Sequence, residues 1–143
     1  MRKLLKFTAI MLIMASAFAC KKNENNSDVA TGLKGTKWKL AGIVNEQTGA
    51  MQVLEPIDCQ QCYTLEFDTD SIATGIAIKE KIGLNLSMLG QYNITDIMRE
   101  PNEDKFIRSL FSQSTKSYAV TVNSLKFINT TDNYYLIFKK ILQ

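Results

Sequence analysis

Three cysteines offer the widest choice of chemistry in this chain of 143 residues. Cys59-Gln-Gln-Cys62 is a Cys-x-x-Cys pair, a spacing that serves thiol–disulfide exchange, half of a zinc site, or a local bridge. Exchange chemistry is helped by a helix N-terminus, whose dipole lowers the thiol pKa. This pair instead precedes a strand-like run, Tyr63-Thr-Leu-Glu-Phe, and no alternating strand–helix pattern surrounds it. Zinc takes about four ligands, and a chain with no His cannot complete a site from two Cys alone. The expectation is a disulfide between Cys59 and Cys62 that tightens a loop, worth about 2 kcal/mol in the chain-entropy model. Reduced thiols and a redox role are the alternatives. The absence of His also removes the commonest general base. Asp68 and Asp70, in Asp-Thr-Asp-Ser, supply too few oxygens for a calcium loop and read as a hairpin turn. Glu100, Glu103 and Asp104 suit the first turn of a helix, where the dipole favours acid. Phosphate loops, Ser–His pairs and nucleophile elbows do not occur. The sequence therefore leads to no catalytic residue, no metal site and no cofactor.

The remaining cysteine, Cys20, has a different context. Met1 to Lys6 is a short cationic head, Phe7 to Phe18 is an uncharged apolar run, and Ala19-Cys20 follows. That is the layout of a secretory signal peptide. The apolar run is too short to span a bilayer as a helix, which takes about 20 residues. A cysteine directly after the cut resembles the lipobox of bacterial lipoproteins, whose new N-terminal cysteine is acylated. Ala17 and Phe18 depart from the usual residues of that box, and Ala17-Phe18-Ala19 also fits an ordinary Ala-x-Ala cut that leaves Cys20 unmodified. Lipidation is the expected outcome, because a free exposed thiol is an unusual thing to export. An exported, oxidising compartment also permits the Cys59–Cys62 bridge.

The precursor charge of +3 misleads about the mature protein. Arg2, Lys3 and Lys6 leave with the signal segment, so fourteen basic side chains remain against fourteen acidic ones. No basic surface is left for nucleic acid. The domain layout expected is a signal peptide over 1–19, a lipidated cysteine and disordered tether over 20–32, and one folded domain over 33–143.

The elements that must position the Cys pair are mostly strands. Trp38, Leu40 and Val44 should face one way, with Lys37 and Lys39 opposite. Tyr63, Leu65 and Phe67 alternate in the next run, and Ile72, Thr74, Ile76 and Ile78 share a face, with Ile76 expected in the core, opposite Ala73, Gly75 and Ala77, whose small side chains suit a crowded or bent sheet surface. Leu84, Leu86 and Met88 continue the alternation, and 91–98 reads as another short strand. Phe106, Ile107, Leu110 and Phe111 recur instead at helical spacing, after Pro101, and predict one helix near 102–114. Tyr118, Val120 and Val122, then Leu125 and Phe127, then Tyr134, Leu136 and Phe138, form the closing strands. The last is apolar on both faces and should be central. Tyr118, Tyr134 and Tyr135 could line a ligand pocket, though core is the simpler reading. The whole is mainly β (α+β): a curved antiparallel sheet or partly closed barrel of 7–8 short strands with one packed helix.

In their order, Leu33-Lys-Gly-Thr-Lys-Trp-Lys-Leu, Tyr63-Thr-Leu-Glu-Phe-Asp-Thr-Asp, Phe106-Ile-Arg-Ser-Leu, Asn123-Ser-Leu-Lys-Phe and Asn133-Tyr-Tyr-Leu-Ile-Phe-Lys-Lys-Ile resemble a META domain of Bacteroidetes lipoproteins. The resemblance runs from about Leu33 to Ile141. The Gly-rich segment with a Cys-Asn pair that such domains often carry is replaced by Thr74-Gly-Ile-Ala-Ile-Lys-Glu. The resemblance implies a compact β-rich unit with a packed helix, lipocalin-like in outline, and no defining catalytic site. The functional expectation is a non-enzymatic lipoprotein of the cell envelope, held by its acylated N-terminus at the outer membrane and acting as an interaction or envelope-stability module, with an unknown envelope protein as partner. The alternative is a carrier for a small apolar ligand.

Overall fold

The computed structural model describes residues 32–142. The signal segment, Cys20 and the tether up to residue 31 lie outside the described residues. Among the described residues, eight strands and one α-helix make up the fold: β1 Lys37–Asn45, β2 Met51–Gln52, β3 Thr64–Phe67, β4 Ile72–Ile76, β5 Lys81–Asn85, α1 Pro101–Leu110, β6 Thr115–Val120, β7 Ser124–Asn129 and β8 Tyr134–Ile141. All strands pair antiparallel in one sheet of order β5-β4-β3-β1-β8-β7-β6, with β2 added beside β1, curled into a half-barrel. The first and last long strands meet at its centre, from Lys37 opposite Ile141 to Asn45 opposite Tyr134.

Helix α1 lies against the inner face. Its start follows from Pro101, which needs no N–H partner in the first turn, and from Glu103 and Asp104. It ends four residues before the expected 114. The Phe111 N–H still bonds the Ile107 carbonyl at 2.9 Å, but the buried Thr115 hydroxyl takes the Ser109 carbonyl at 2.9 Å and turns the chain into β6. Phe106, Ile107 and Leu110 are buried in a single core with Trp38, Leu65, Phe67, Leu84, Leu125, Phe127, Leu136 and Phe138. A ten-residue helix is too short to hold itself together, so this apolar stripe is what keeps it folded.

Four expectations from the pattern are corrected. Residues 91–98 form no strand. Tyr92 instead caps the edge of β5: the Asn85 N–H donates to its hydroxyl at 2.5 Å, and that hydroxyl faces the Asn85 carbonyl at 3.1 Å. The chain then leaves the sheet towards α1. The face of β4 is reversed: Ala73 and Ala77 are buried while Ile72 is exposed. The inner side is too crowded for more, since a Cβ on Gly75 would sit 2.2 Å from the Thr64 carbonyl oxygen. In β1 a bulge between Leu40 and Gly42 shifts the register, so Ile43, not Val44, continues the core face of Trp38 and Leu40. Gly42 lets β2 approach, because a Cβ there would meet Met51 at 2.6 Å. Tyr118, on the strand that ends the sheet, and Val122, on the turn after it, are exposed rather than core.

Candidate functional site

The Cys59–Cys62 loop lies between β2 and β3, and the outer side of β1 holds it in place. Lys39 points to that side because Trp38 and Leu40 point inward. Its Nζ donates to the Cys59 carbonyl at 2.6 Å and to the Cys62 carbonyl. It also lies 5.8 Å from the centre of the Tyr63 ring. Burial lowers the Lys39 pKa from its ordinary value. Two carbonyl dipoles and an aromatic face thus hold a partly desolvated ammonium in place.

Tyr63 closes the loop in a left-handed conformation, φ 55°, which few side chains adopt without cost. Its hydroxyl donates to the Glu55 carbonyl at 2.5 Å, and its ring meets Phe106 edge-on at 5.1 Å. Burial, then the charges of Glu103 and Glu55, push its pKa up to about 12, so it stays a neutral donor. The loop is therefore tied at once to β1, to the segment before it and to the helix.

Cys59 and Cys62 are joined in this loop with Cα atoms 5.4 Å apart, within the span a bridge requires. No helix begins at either sulfur. For the exported protein, oxidation of this pair is our proposal. Mass spectrometry of non-reduced peptides should return the two cysteines linked, a pair of hydrogens lighter than the dithiol. Free, alkylatable thiols at both positions would rule the bridge out.

Beside the loop an open groove of about 620 Å³ is lined by Lys37, Lys39, Ile57, Gln60, Glu66 and Leu142, among others. It lies on the outer side of the sheet. Its lysines are engaged: Lys37 approaches Glu66 at 3.8 Å, and Lys39 serves the loop. The three tyrosines weighed as pocket residues are not brought together. Tyr135 stacks under Lys126 at 4.7 Å, Tyr118 is exposed, and the Tyr134 hydroxyl accepts from Asn129 at 2.9 Å.

The acids at the start of α1 do more than the helix dipole requires. Glu103 is 2% exposed. Its Oε1 accepts the backbone N–H groups of Ile78, Lys79 and Glu80 at 2.8, 2.6 and 2.9 Å, clamping the β4–β5 turn to the helix. Next to it, Arg99 bridges Glu80 at 2.9 Å and Asp104 at 3.4 Å, and Arg108 bridges Asp104 at 2.7 Å and Asp96 at 2.9 Å. Hydrogen bonding to Arg108 is the main cause that holds the Asp104 pKa below its usual value. Of this cluster the sequence announces the Asp104–Arg108 pair, four apart on the helix, but not the Arg99 bridges or the Glu103 clamp. The only signal for the clamp was Glu103 itself, placed on the same helical side as Phe106 and Leu110. Asp70 serves as a turn residue, accepting the Lys34 N–H at 2.9 Å. Among the described residues no group of three or more His, Cys, Asp or Glu side chains is placed to hold a metal ion.

The chain is 30% identical over 139 residues to a protein of Tannerella forsythia named "Putative lipoprotein", with 96% of each chain covered. The chain belongs to that lipoprotein family. Because the match spans nearly the whole length, the likeness of this lipoprotein to its relative is not confined to the folded part. No family model matches the chain, and no solved structure matches it either.

Proposed function

We propose that this lipoprotein is a non-enzymatic component of the cell envelope, anchored by an acylated Cys20 and acting through the outer surface of a META-like half-barrel. The observation that carries the proposal is the whole-length relationship to a lipoprotein, read with the cationic head, apolar run and Ala19-Cys20 of the N-terminus. The half-barrel with one helix is consistent with a divergent META-like domain. The domain boundaries we propose are 1–19 for the signal, 20–32 for the lipidated tether and 33–143 for the folded unit. An outer-membrane location and a protein partner belong to the same proposal. Binding is assigned to the outside because the inner face is occupied by the domain's own side chains: Trp38, Phe67, Phe106, Phe127 and Phe138 are fully buried there. A carrier for a small apolar molecule would need that space, about 300 Å³ or more.

Cys20→Ala tests the anchor. In fractionated cells the parent should sediment with membranes and the variant should move to the soluble fraction, because losing two or more acyl chains removes the stable attachment. A variant that sediments like the parent sinks the anchor reading.

A further inference from the structure

We propose that the end of the half-barrel where the tether enters is a membrane-resting surface, its apolar tips dipping into the lipid interface. This rests on the lipid anchor proposed above. The antiparallel pairing defines the end: β1 and β4 start there, and β3 and β8 finish there, with Lys37 opposite both Glu66 and Ile141 and Phe67 opposite Ala73. The β6–β7 turn closes at the same end, where the Lys140 N–H bonds the Asn123 carbonyl at 3.2 Å.

That end carries exposed apolar side chains that contribute nothing to the core. Leu142 is 86% exposed and Ile57 61% exposed, and the two line one groove with Lys37 and Ile141. Val122 stands on the β6–β7 turn and Ile72 on the β3–β4 turn, both exposed. Lys34 and Lys140 flank them, with stems long enough to lie along apolar surface while the ammonium reaches headgroup phosphate. The opposite end differs. It exposes Met51, Ile97 and Met98, but it also carries the Arg99–Glu80–Asp104 and Arg108–Asp96 network, whereas the tether end carries the exposed Lys37–Glu66 pair and the turn acids Asp68 and Asp70, so contact with lipid there disturbs fewer ion pairs.

The chain outside the structure decides between the ends. Eleven residues, 21–31, separate Cys20 from Gly32, a reach of at most ~40 Å. Lys34 is tied to Asp70, so the tether leaves beside the β3–β4 turn, among the apolar tips. A few exposed side chains would not hold a free protein at a bilayer. A short tether raises the effective concentration to about the millimolar range, where contacts this weak become occupied.

The test uses the full mature lipoprotein, acylated and reconstituted in vesicles of phosphatidylethanolamine with a minor share of phosphatidylglycerol. With Cys20 acylated and Cys59 bonded to Cys62, an introduced thiol is the sole target for a nitroxide label. Labels at Leu142→Cys and Val122→Cys should gain collisions with oxygen and lose collisions with a nickel chelate when vesicles are present. Labels at Met51→Cys and Thr131→Cys, at the other end, should stay open to the chelate. An acylated protein that floats with the vesicles while labels 142 and 122 stay open to the chelate overturns the docking and leaves the anchor standing. Labels at 142 and 122 already immobile in detergent, without lipid, mean that the tether or a second protein covers this end, and also overturn it. Protein isolated from its native membranes whose Cys20 carries no acyl chain overturns the anchor, and the docking with it.

Discussion

Glu103→Ala should cost about 3–5 kcal/mol of folding stability, because it leaves the N–H groups of Ile78, Lys79 and Glu80 without their acceptor at roughly 1–3 kcal/mol for each buried unmet donor, partly offset by entering water. Glu103→Gln keeps one acceptor oxygen and loses the charge, so about 1–2 kcal/mol is expected. The effect depends on pH with a definite sign. Burial alone would raise the Glu103 pKa, but the three N–H donors and then Lys79 outweigh it and hold the value below its ordinary 4.5. The native carboxylate thus stays charged at a pH where the unfolded chain already takes up a proton. Its contribution is fully present above the unfolded value and is lost as pH falls through the lower folded value. Urea midpoints from neutral pH down into the acid range should fall steeply for the parent and less steeply for Glu103→Gln. An alanine variant with the parent's midpoint at neutral pH would show that the clamp contributes nothing. A glutamine variant with the parent's acid slope would assign the slope to other groups, with Asp104 the first to examine.

The strands were legible where side chains alternate over a buried inner face, as in Leu65 and Phe67 or Leu125 and Phe127. The helix was legible because Phe106, Ile107 and Leu110 break that period. What misled was local. In β4 the larger isoleucines suggested the inner face, yet space beside Thr64 and Leu65 admits only Ala and Gly there. A bulge in β1 cannot be read from alternation, because one extra residue moves all later side chains to the other face. Residues 91–98 have strand-like composition, but Tyr92 binds the strand edge they would have extended. The Cys pair stood out by spacing alone, whereas Lys39 and Tyr63, which hold its loop, are joined to it only by the fold. Glu103 shows the same limit. Its residue type fits a helix start, and nothing in the sequence announces the three amides that meet it.

Phe106→Ala and Phe138→Ala should each cost about 3–5 kcal/mol, the range for emptying a filled aromatic site. For a small domain whose total stability is about 5–15 kcal/mol, either loss is a large share. Both side chains are fully buried. They form the middle of an aromatic chain that runs from Tyr63 to Phe106 at 5.1 Å, to Phe138 at 6.2 Å, and to Phe127 at 5.7 Å. Phe106 belongs to α1 and Phe138 to β8, so their contact joins the helix to the centre of the sheet. The two substitutions should therefore be non-additive, with a coupling of about 0.5–1.5 kcal/mol in a double-mutant cycle. Phe106→Ala should also speed amide exchange in α1 beyond that in β1 and β8, since a short helix without its main apolar contact opens locally. The same measurements bear on function. A domain that uses its inner face to carry an apolar molecule must tolerate space there, and truncating Phe138 would then cost little and enlarge the site. Losses below about 1 kcal/mol at both positions would mean that the interior is not close-packed, and would move the carrier ahead of the surface-binding module. Losses in the expected range leave the outer face of the sheet as the part of the domain available to a partner.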